Sequence, residues 1–543
     1  MRLSAFLMGV GLAALAPARP VLAQAAPPAE FEPPTLIVFI TVDQLRGDYL
    51  DRFGAQLTGG LARLVRGGAH FANAYHDHGL TETAPGHSAT LAGRFPRSTG
   101  IVMNSLGVED PQAPLIGGGG SGASPFRFRG STLIDWLRVK DPRSRALSVS
   151  RKDRGAILPV GRAKQHVYWY ASDGRFTTST YYADTLPTWV QRFNARQLPA
   201  RMAGRVWTPL LPDSAYPEPD DVPVESGGKD YTFPHILPSD PVAAARQLPE
   251  FPWMDSVTLA FALEGLRELG LGTGPQTDLL AISLSTTDAI GHRFGPDSKE
   301  LHDQILRLDR VLGAFLDSLF ALRDSSRVVI ALTADHGVAP FPEVHAKEKA
   351  SSLRVDLSDL IRAMRAELRE KGLDDRAFRV NGPLVSVDRE AFARAGLNAD
   401  SVLGVFAAAA AARPGVLRAD LVNTLARRDT VKDAIARRWI HMLPPDMQVD
   451  LVLTFEPYHV RGNGTSAQHG TPHDYDAHVP VIFYGPPFKP GRYEEFARVV
   501  DIAPTLAHVA RVRPTEPLDG RVLVSALKQP GLAAGAATRA AAR

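Results

Sequence analysis

The chain has 543 residues, 44% hydrophobic and 22% charged, which is enough to bury a large core and unlike a low-complexity or fibrous sequence. A formal net charge of +3 gives no electrostatic case for a nucleic-acid or membrane partner. The absence of cysteine excludes disulfides and thiolate metal sites, so a protein-held metal must rely on His, Asp, Glu and hydroxyl oxygens.

The first residues carry the marks of a secretory signal. Met1-Arg2 is a short positive start, 3–16 is an apolar stretch, and Val21-Leu22-Ala23 is a small-residue cleavage site before Gln24. A hydrophobic anchor is the alternative, but the stretch falls short of the ~20 residues that span a bilayer. Residues 1–23 are therefore expected to be removed. The mature chain would then be periplasmic or secreted, with no membrane span, and would begin with a Pro/Ala-rich tether over 25–34.

Four short apolar runs rich in β-branched residues, 36–42, 279–284, 328–332 and 481–484, read as strands. None alternates cleanly, which suits strands buried on both faces of a mostly parallel sheet. Between them, 254–269 reads as a helix. Leu301, Ile305, Leu308, Leu312, Phe315 and Leu319 recur at spacings of four and three, as on one face of another. The predicted fold class is α/β, a three-layer α/β/α sandwich with inserted cap elements. The catalytic body would span 24–530, with insertions near 117–250 and 351–455 and a disordered Ala/Gly-rich tail over 531–543. Within the second insertion, 357–371 reads as a helix and 384–388 as a strand. The Ala-rich run 407–412 reads as a closely packed helix.

Three of the strands run directly into polar residues: Asp43 after the first, Ser285-Thr286-Thr287-Asp288 after the second, and Thr333-Ala334-Asp335-His336 after the third. Ligands of open α/β sheets bind beyond the carboxyl ends of the strands, so these acidic positions from distant sequence are expected to converge on one edge. Asp288 and His292, four apart, would share one side of a helical turn, or else are a helix cap and an unrelated histidine. Asp335 and His336 can share a metal if the backbone turns there, and Gly337 would ease such a turn. The segment 468–480 holds three histidines, His469, His473 and His478, which form either a solvated loop or a source of at least one ligand. Imidazoles and carboxylates without thiolates suit zinc in an open catalytic site. In the segment 81–91, a turn with Pro85 and Gly86 could open a short helix with Thr83 near its N-terminus, where the dipole favours an alkoxide. On its own this segment fits an ordinary helix cap equally well.

In their order and spacing these segments resemble the alkaline phosphatase superfamily. The likeness is closest to its bacterial threonine-nucleophile phosphate-monoesterase branch, relatives of the nucleotide pyrophosphatase/phosphodiesterases. It spans 41–104, 148–156, 278–337 and 464–501. The resemblance implies two Zn2+ ions per chain, one held by Asp43, Thr83, Asp335 and His336 and the other by Asp288, His292 and His469. It makes Thr83 the nucleophile and Asn104 a donor to a phosphoryl oxygen, and leaves His473 and His478 structural. In the monoesterase branch a Lys and an Arg two residues apart bind the non-bridging phosphoryl oxygens, and Lys152 and Arg154 match that pair. Without the rest of the site, Arg151-Lys152-Asp153-Arg154 would read as a solvated basic turn.

The expected activity is hydrolysis of small-molecule phosphate monoesters through a phospho-threonine intermediate. A phosphodiesterase or nucleotide pyrophosphatase would use the same metals, but the basic pair favours the more highly charged monoester. A sulfatase is disfavoured by Thr83 at the nucleophile position and the lack of a cysteine to become formylglycine. A non-catalytic phosphate- or metal-binding protein is disfavoured by the complete set of nucleophile and ligands.

Overall fold

A computed structural model describes residues 31–118, 120–348, 354–461 and 466–528; the expected signal segment and the Ala/Gly-rich tail lie outside the described residues. The main sheet contains β1 (Leu36–Val42), β2 (Ala69–Phe71), β3 (Ala146–Ser150), β4 (His166–Tyr170), β5 (Phe176–Thr177), β6 (Asp278–Leu284), β7 (Val328–Thr333), β8 (Val481–Tyr484) and β9 (Gly491–Tyr493). Across the sheet their order is β9-β2-β8-β7-β1-β6-β3-β4-β5. The five strands β7, β1, β6, β3 and β4 run parallel, and β8 and β5 join them antiparallel. Every residue of β1, β6 and β7 is buried, as their lack of alternation predicted, and so is every residue of β3.

Helices complete the three-layer α/β/α sandwich. Gly60–Gly67, Trp253–Glu268 and Lys299–Leu322 pack together, and Leu133–Lys140 packs with Ile502–Ala510. One buried carboxylate fixes a join in this layer: Asp309 accepts the backbone N–H groups of Thr58 and Ala62 and so caps the start of Gly60–Gly67. Three short helices carry site residues: α1 (Thr83–Thr90), α2 (Asp153–Ile157) and α3 (Thr286–Phe294).

Two readings of the sequence change here. The stretch 117–250 is not wholly an insertion, because it supplies β3, β4 and β5 to the main sheet. Its many prolines belong to the connections around these strands, while β4 is itself the aromatic-rich run His166–Tyr170. Residues 354–455 do stand apart. They build a four-stranded sheet in the order Phe378–Asn381, Leu384–Val387, Leu451–Phe455, Val416–Leu421, over an apolar core of its own that includes Phe378, Phe392 and Phe406. The Ala-rich run lies in the helix Ala399–Ala411. That helix buries only Leu403, Phe406 and Ala410, so the alanines serve helix propensity as much as close packing. A third apolar cluster, with Leu80, Val102, Met103, Trp439 and Met442, ties this cap to the loop before α1.

Candidate active site

Register places the site. Thr41 lies beside Thr333 on one side and Ser283 on the other, and Ser283 lies beside Ser150, so four parallel strands end level. Asp43 follows β1, Asp335 lies two residues past β7, α3 starts two residues past β6, and Lys152 lies two past β3. Residues separated by nearly 300 positions thus meet at one edge.

Thr83 is the first residue of α1, with Glu82 as its N-cap. Pro85 sits within the first turn, where its missing N–H costs no helical hydrogen bond, rather than in a turn ahead of the helix. The helix can lie this close to β7 because residue 86 is glycine: a Cβ there would come 2.2 Å from the Asp335 carbonyl oxygen. Thr83 Oγ is 3.3 Å from Lys152 Nζ and 3.5 Å from His336 Nε2. Lys152 Nζ is also 2.6 Å from a carboxylate oxygen of both Asp43 and Asp288.

Asp43, Asp288 and His336 place one ligand atom each within 4.8 Å of one another, and so do Asp288, His292 and His469. Either group can hold a metal ion, and Asp288 belongs to both. Each imidazole is set for this by its other nitrogen. His292 Nδ1 faces the Ala467 carbonyl at 2.6 Å, His336 Nδ1 that of Gly337 at 2.9 Å, and His469 Nδ1 that of Thr81 at 2.8 Å. With Nδ1–H donating to a carbonyl oxygen, Nε2 keeps its lone pair for the site. Lys152 meets Asp43 Oδ2 and His87 meets Asp335 Oδ2, but Asp43 Oδ1 is buried without a hydrogen-bond partner. Buried carboxylate oxygens left bare are costly unless a cation meets them. The donor set therefore fits a divalent metal.

The charges respond accordingly. Burial raises the Asp43 carboxyl to about 6, assisted by the nearby Asp288 and Asp335. Burial would raise Asp288 too, but Lys152 and His292 hold it well below the ordinary carboxylate range. Asp335 is likewise held low against burial by His336 and His87. Burial, with His336 and His292 nearby, keeps the His469 imidazole neutral, well below its ordinary value.

Asn104 accepts from the Ala84 N–H through Oδ1 at 2.8 Å, and its own N–H donates to Glu82 Oε2 at 2.7 Å. This fixes the amide beside the start of α1 and directs its NH2 elsewhere. Arg154 lies on α2 with its guanidinium 3.6 Å from Asp153, at the rim rather than among the carboxylates. His473 and His478 are structural: their Nε2 atoms face the carbonyls of Phe455 at 2.7 Å and Ala72 at 2.6 Å. Gly337 is needed for space and not for a turn, since a Cβ would lie 2.2 Å from the Tyr475 carbonyl oxygen.

Two site residues escaped the sequence reading. Gln44 lies in the left-handed region at φ +67°, a conformation that costs a non-glycine residue of order 1 kcal/mol. In return its N–H donates to Asp335 Oδ1 and its Nε2 to Asp288 Oδ1, both at 3.1 Å, so one residue braces two of the site's carboxylates. Its place directly after Asp43 was the only signal. His87 lies one turn beyond Thr83 on α1. Its Nδ1 is 2.9 Å from the Thr83 carbonyl oxygen and 3.0 Å from Asp335 Oδ2, and its Nε2 is 2.9 Å from Ser283 Oγ. The i, i+4 spacing from Thr83 could have marked it.

Similarity to known proteins agrees with this geometry. The family model for type I phosphodiesterase / nucleotide pyrophosphatase matches residues 37–441. Alkaline phosphatase PhoV of Synechococcus elongatus is 32% identical over 91% of this chain and 93% of its own. Alkaline phosphatase PhoK of a Sphingomonas species is 31% identical over 90% and 91%. The crystal structure of alkaline phosphatase PafA superposes with a TM-score of 0.84 at 28% identity, covering 93% of this chain and 100% of that one. Among the described residues no helix is long and apolar enough to cross a membrane.

Proposed function

The chain belongs to the type I phosphodiesterase / nucleotide pyrophosphatase family, and from that membership and the site we propose that it is a zinc-dependent alkaline phosphatase cleaving phosphate monoesters through a phosphorylated Thr83. The observation that carries this reading is the contact of Lys152 Nζ with both Thr83 Oγ and the carboxylates, at the edge where two ligand groups share Asp288. That alkaline phosphatases stand among its similar proteins supports the same reading.

Asp43, Thr83, Asp335 and His336 would hold one zinc, and Asp288, His292 and His469 the other. Bound zinc supplies Lewis acidity and neutralises charge at a phosphoryl centre. The residues do the rest. The positive end of α1 and the Lys152 ammonium favour loss of the Thr83 Oγ proton. Oγ attacks phosphorus, the Oγ–P bond forms, and the ester P–O bond breaks to release the alcohol. Water then attacks phosphorus, the Oγ–P bond breaks, and inorganic phosphate leaves. The Asn104 amide, Lys152 and Arg154 donate to the non-bridging oxygens, a role that matters most for a dianionic monoester. Before it works, the chain would be exported and cleaved after Ala23, which N-terminal sequencing of the mature protein would test.

A phosphodiesterase is the second reading, favoured by the family to which the chain belongs. Metal-stripped protein titrated with zinc and assayed on methyl phosphate and on a dialkyl phosphate decides between them. Zinc-restored activity that favours the monoester is expected. A preference for the diester would replace the monoesterase reading, and no hydrolysis of either would leave only a binding protein.

A further inference from the structure

We propose that the cavity between the cap and the loop bearing His469 is a leaving-group chamber, which receives the organic part of the ester when that part is apolar and either neutral or cationic. This rests on the monoesterase reading and adds which esters the protein prefers. The cavity holds about 370 Å3, the size of a small-ligand pocket. Its inner wall includes Glu82, the residue before Thr83, and His469; its outer wall includes Leu80, Leu357, Trp439 and Phe455. The first wall belongs to the reaction edge, and the second joins the cap sheet and its helices to it.

The direction of the reaction leads into this space. Attack by Thr83 Oγ expels the ester oxygen from the far side of phosphorus. Thr83 lies against the ligand group that contains Asp43 and His336, with His336 Nε2 3.5 Å away. The departing oxygen accordingly faces the other group, Asp288, His292 and His469, and His469 is the member that also walls the cavity. The group attached to that oxygen, which leaves as an alcohol after taking a proton from water, extends towards Leu80 and Trp439.

Charge limits what fits. Among the described lining residues there is no lysine or arginine, and the carboxylate side chains are those of Glu82 and Asp356. A leaving group carrying its own phosphate or carboxylate would bring negative charge to this wall with no lysine or arginine to meet it. An alkyl or aryl group adds apolar contact, and a tethered ammonium adds attraction.

The test measures binding to zinc-loaded protein by calorimetry with methylphosphonate, 3-phenylpropylphosphonate and 4-phosphonobutanoate, which share one head group. The phenylpropyl compound is expected to bind about tenfold or more tightly than methylphosphonate, from the apolar area it buries. The carboxylate compound is expected to gain nothing. Ser358, an exposed residue of the lining, offers a plug: Ser358→Trp is expected to bring the phenylpropyl-to-methyl ratio towards one and leave methylphosphonate affinity unchanged. Equal affinities in the wild type, or tighter binding of the carboxylate compound, would overturn the proposal whether or not the variant folds. Hydrolysis of methyl phosphate by the same preparation reads the phosphatase assignment separately, because that ester is too small to use the chamber.

Discussion

The protein buries two groups of carboxylates and holds them by opposite means. At the sheet edge Asp288 and Asp335 face Lys152, His292, His336 and His87, and both stay ionised well below the ordinary range. Within the 218–235 segment, burial pushes Glu225 up to about 9, and Glu300, Asp220 and Asp297 push the same way. Glu225 and Glu300 each keep one buried oxygen without a hydrogen-bond partner, as Asp43 does. Burial among like charges thus yields a protonated acid; what makes the sheet edge a centre of chemistry is the convergence of imidazole lone pairs, a lysine and a nucleophile on its carboxylates.

Several changes would break or sharpen that contrast. The largest effect is expected from Asp288→Asn, because Asp288 belongs to both ligand groups. Loss of bound zinc and a fall in kcat/KM of about 10³ or more should appear together in metal analysis and rates; a variant that keeps both would show that the edge resembles the Glu225 cluster after all. Lys152→Ala should lower monoester kcat/KM by about 10²–10³, with a smaller loss on a diester. An equal loss on both would remove the lysine from substrate discrimination.

Gln44→Leu should weaken zinc binding or activity by about 10–100-fold, since the amide that orients Asp288 is gone. Excess zinc should recover part of the rate. A lower melting temperature with unchanged zinc affinity would reduce Gln44 to a structural role. The smallest effect on activity is expected from Glu225→Gln, whose change is in stability and depends on pH. The folded-state value of about 9 lies above the ordinary 4.5. The folded protein therefore holds more protons between these values, and stability falls as pH rises through that window. The glutamine should leave stability unchanged below pH 4.5 and raise it progressively above that, by up to about 5 kcal/mol at pH 8, at about 1.36 kcal/mol per unit of pH over the ~3.5 units between. Denaturation of both proteins across pH measures it, and a constant difference at all pH values would contradict the assignment.

Three of the four strands at the reaction edge, β1, β6 and β7, were legible in the sequence because buried parallel strands leave unbroken apolar runs, and 36–42 matches β1 end for end. The pairing of Asp288 with His292 was legible as well, because a helical repeat fixes what lies four residues on; the two side chains stand 3.2 Å apart. The strands β3 and β4 were not, since the prolines around them masked short runs that gain their meaning only beside β6. Gln44 and His87 stayed hidden for another reason. They act through hydrogen bonds that only the fold creates, and neither a backbone at φ +67° nor a contact across 291 positions leaves a period in the chain. The Lys152/Arg154 pair came from family likeness rather than spacing, and the structure separates the two, with Lys152 among the carboxylates and Arg154 at the rim.

Whether Thr83 becomes phosphorylated is the most direct test of the account. Zinc-loaded protein mixed with a monoester and quenched in acid within a turnover should carry one phosphoryl group on the peptide containing Thr83, located by mass spectrometry. Thr83→Ala should lose that label and at least about 10³-fold in kcat while retaining zinc through the remaining ligands. Full turnover in the alanine variant, or a label on another residue of a fully active enzyme, would contradict it.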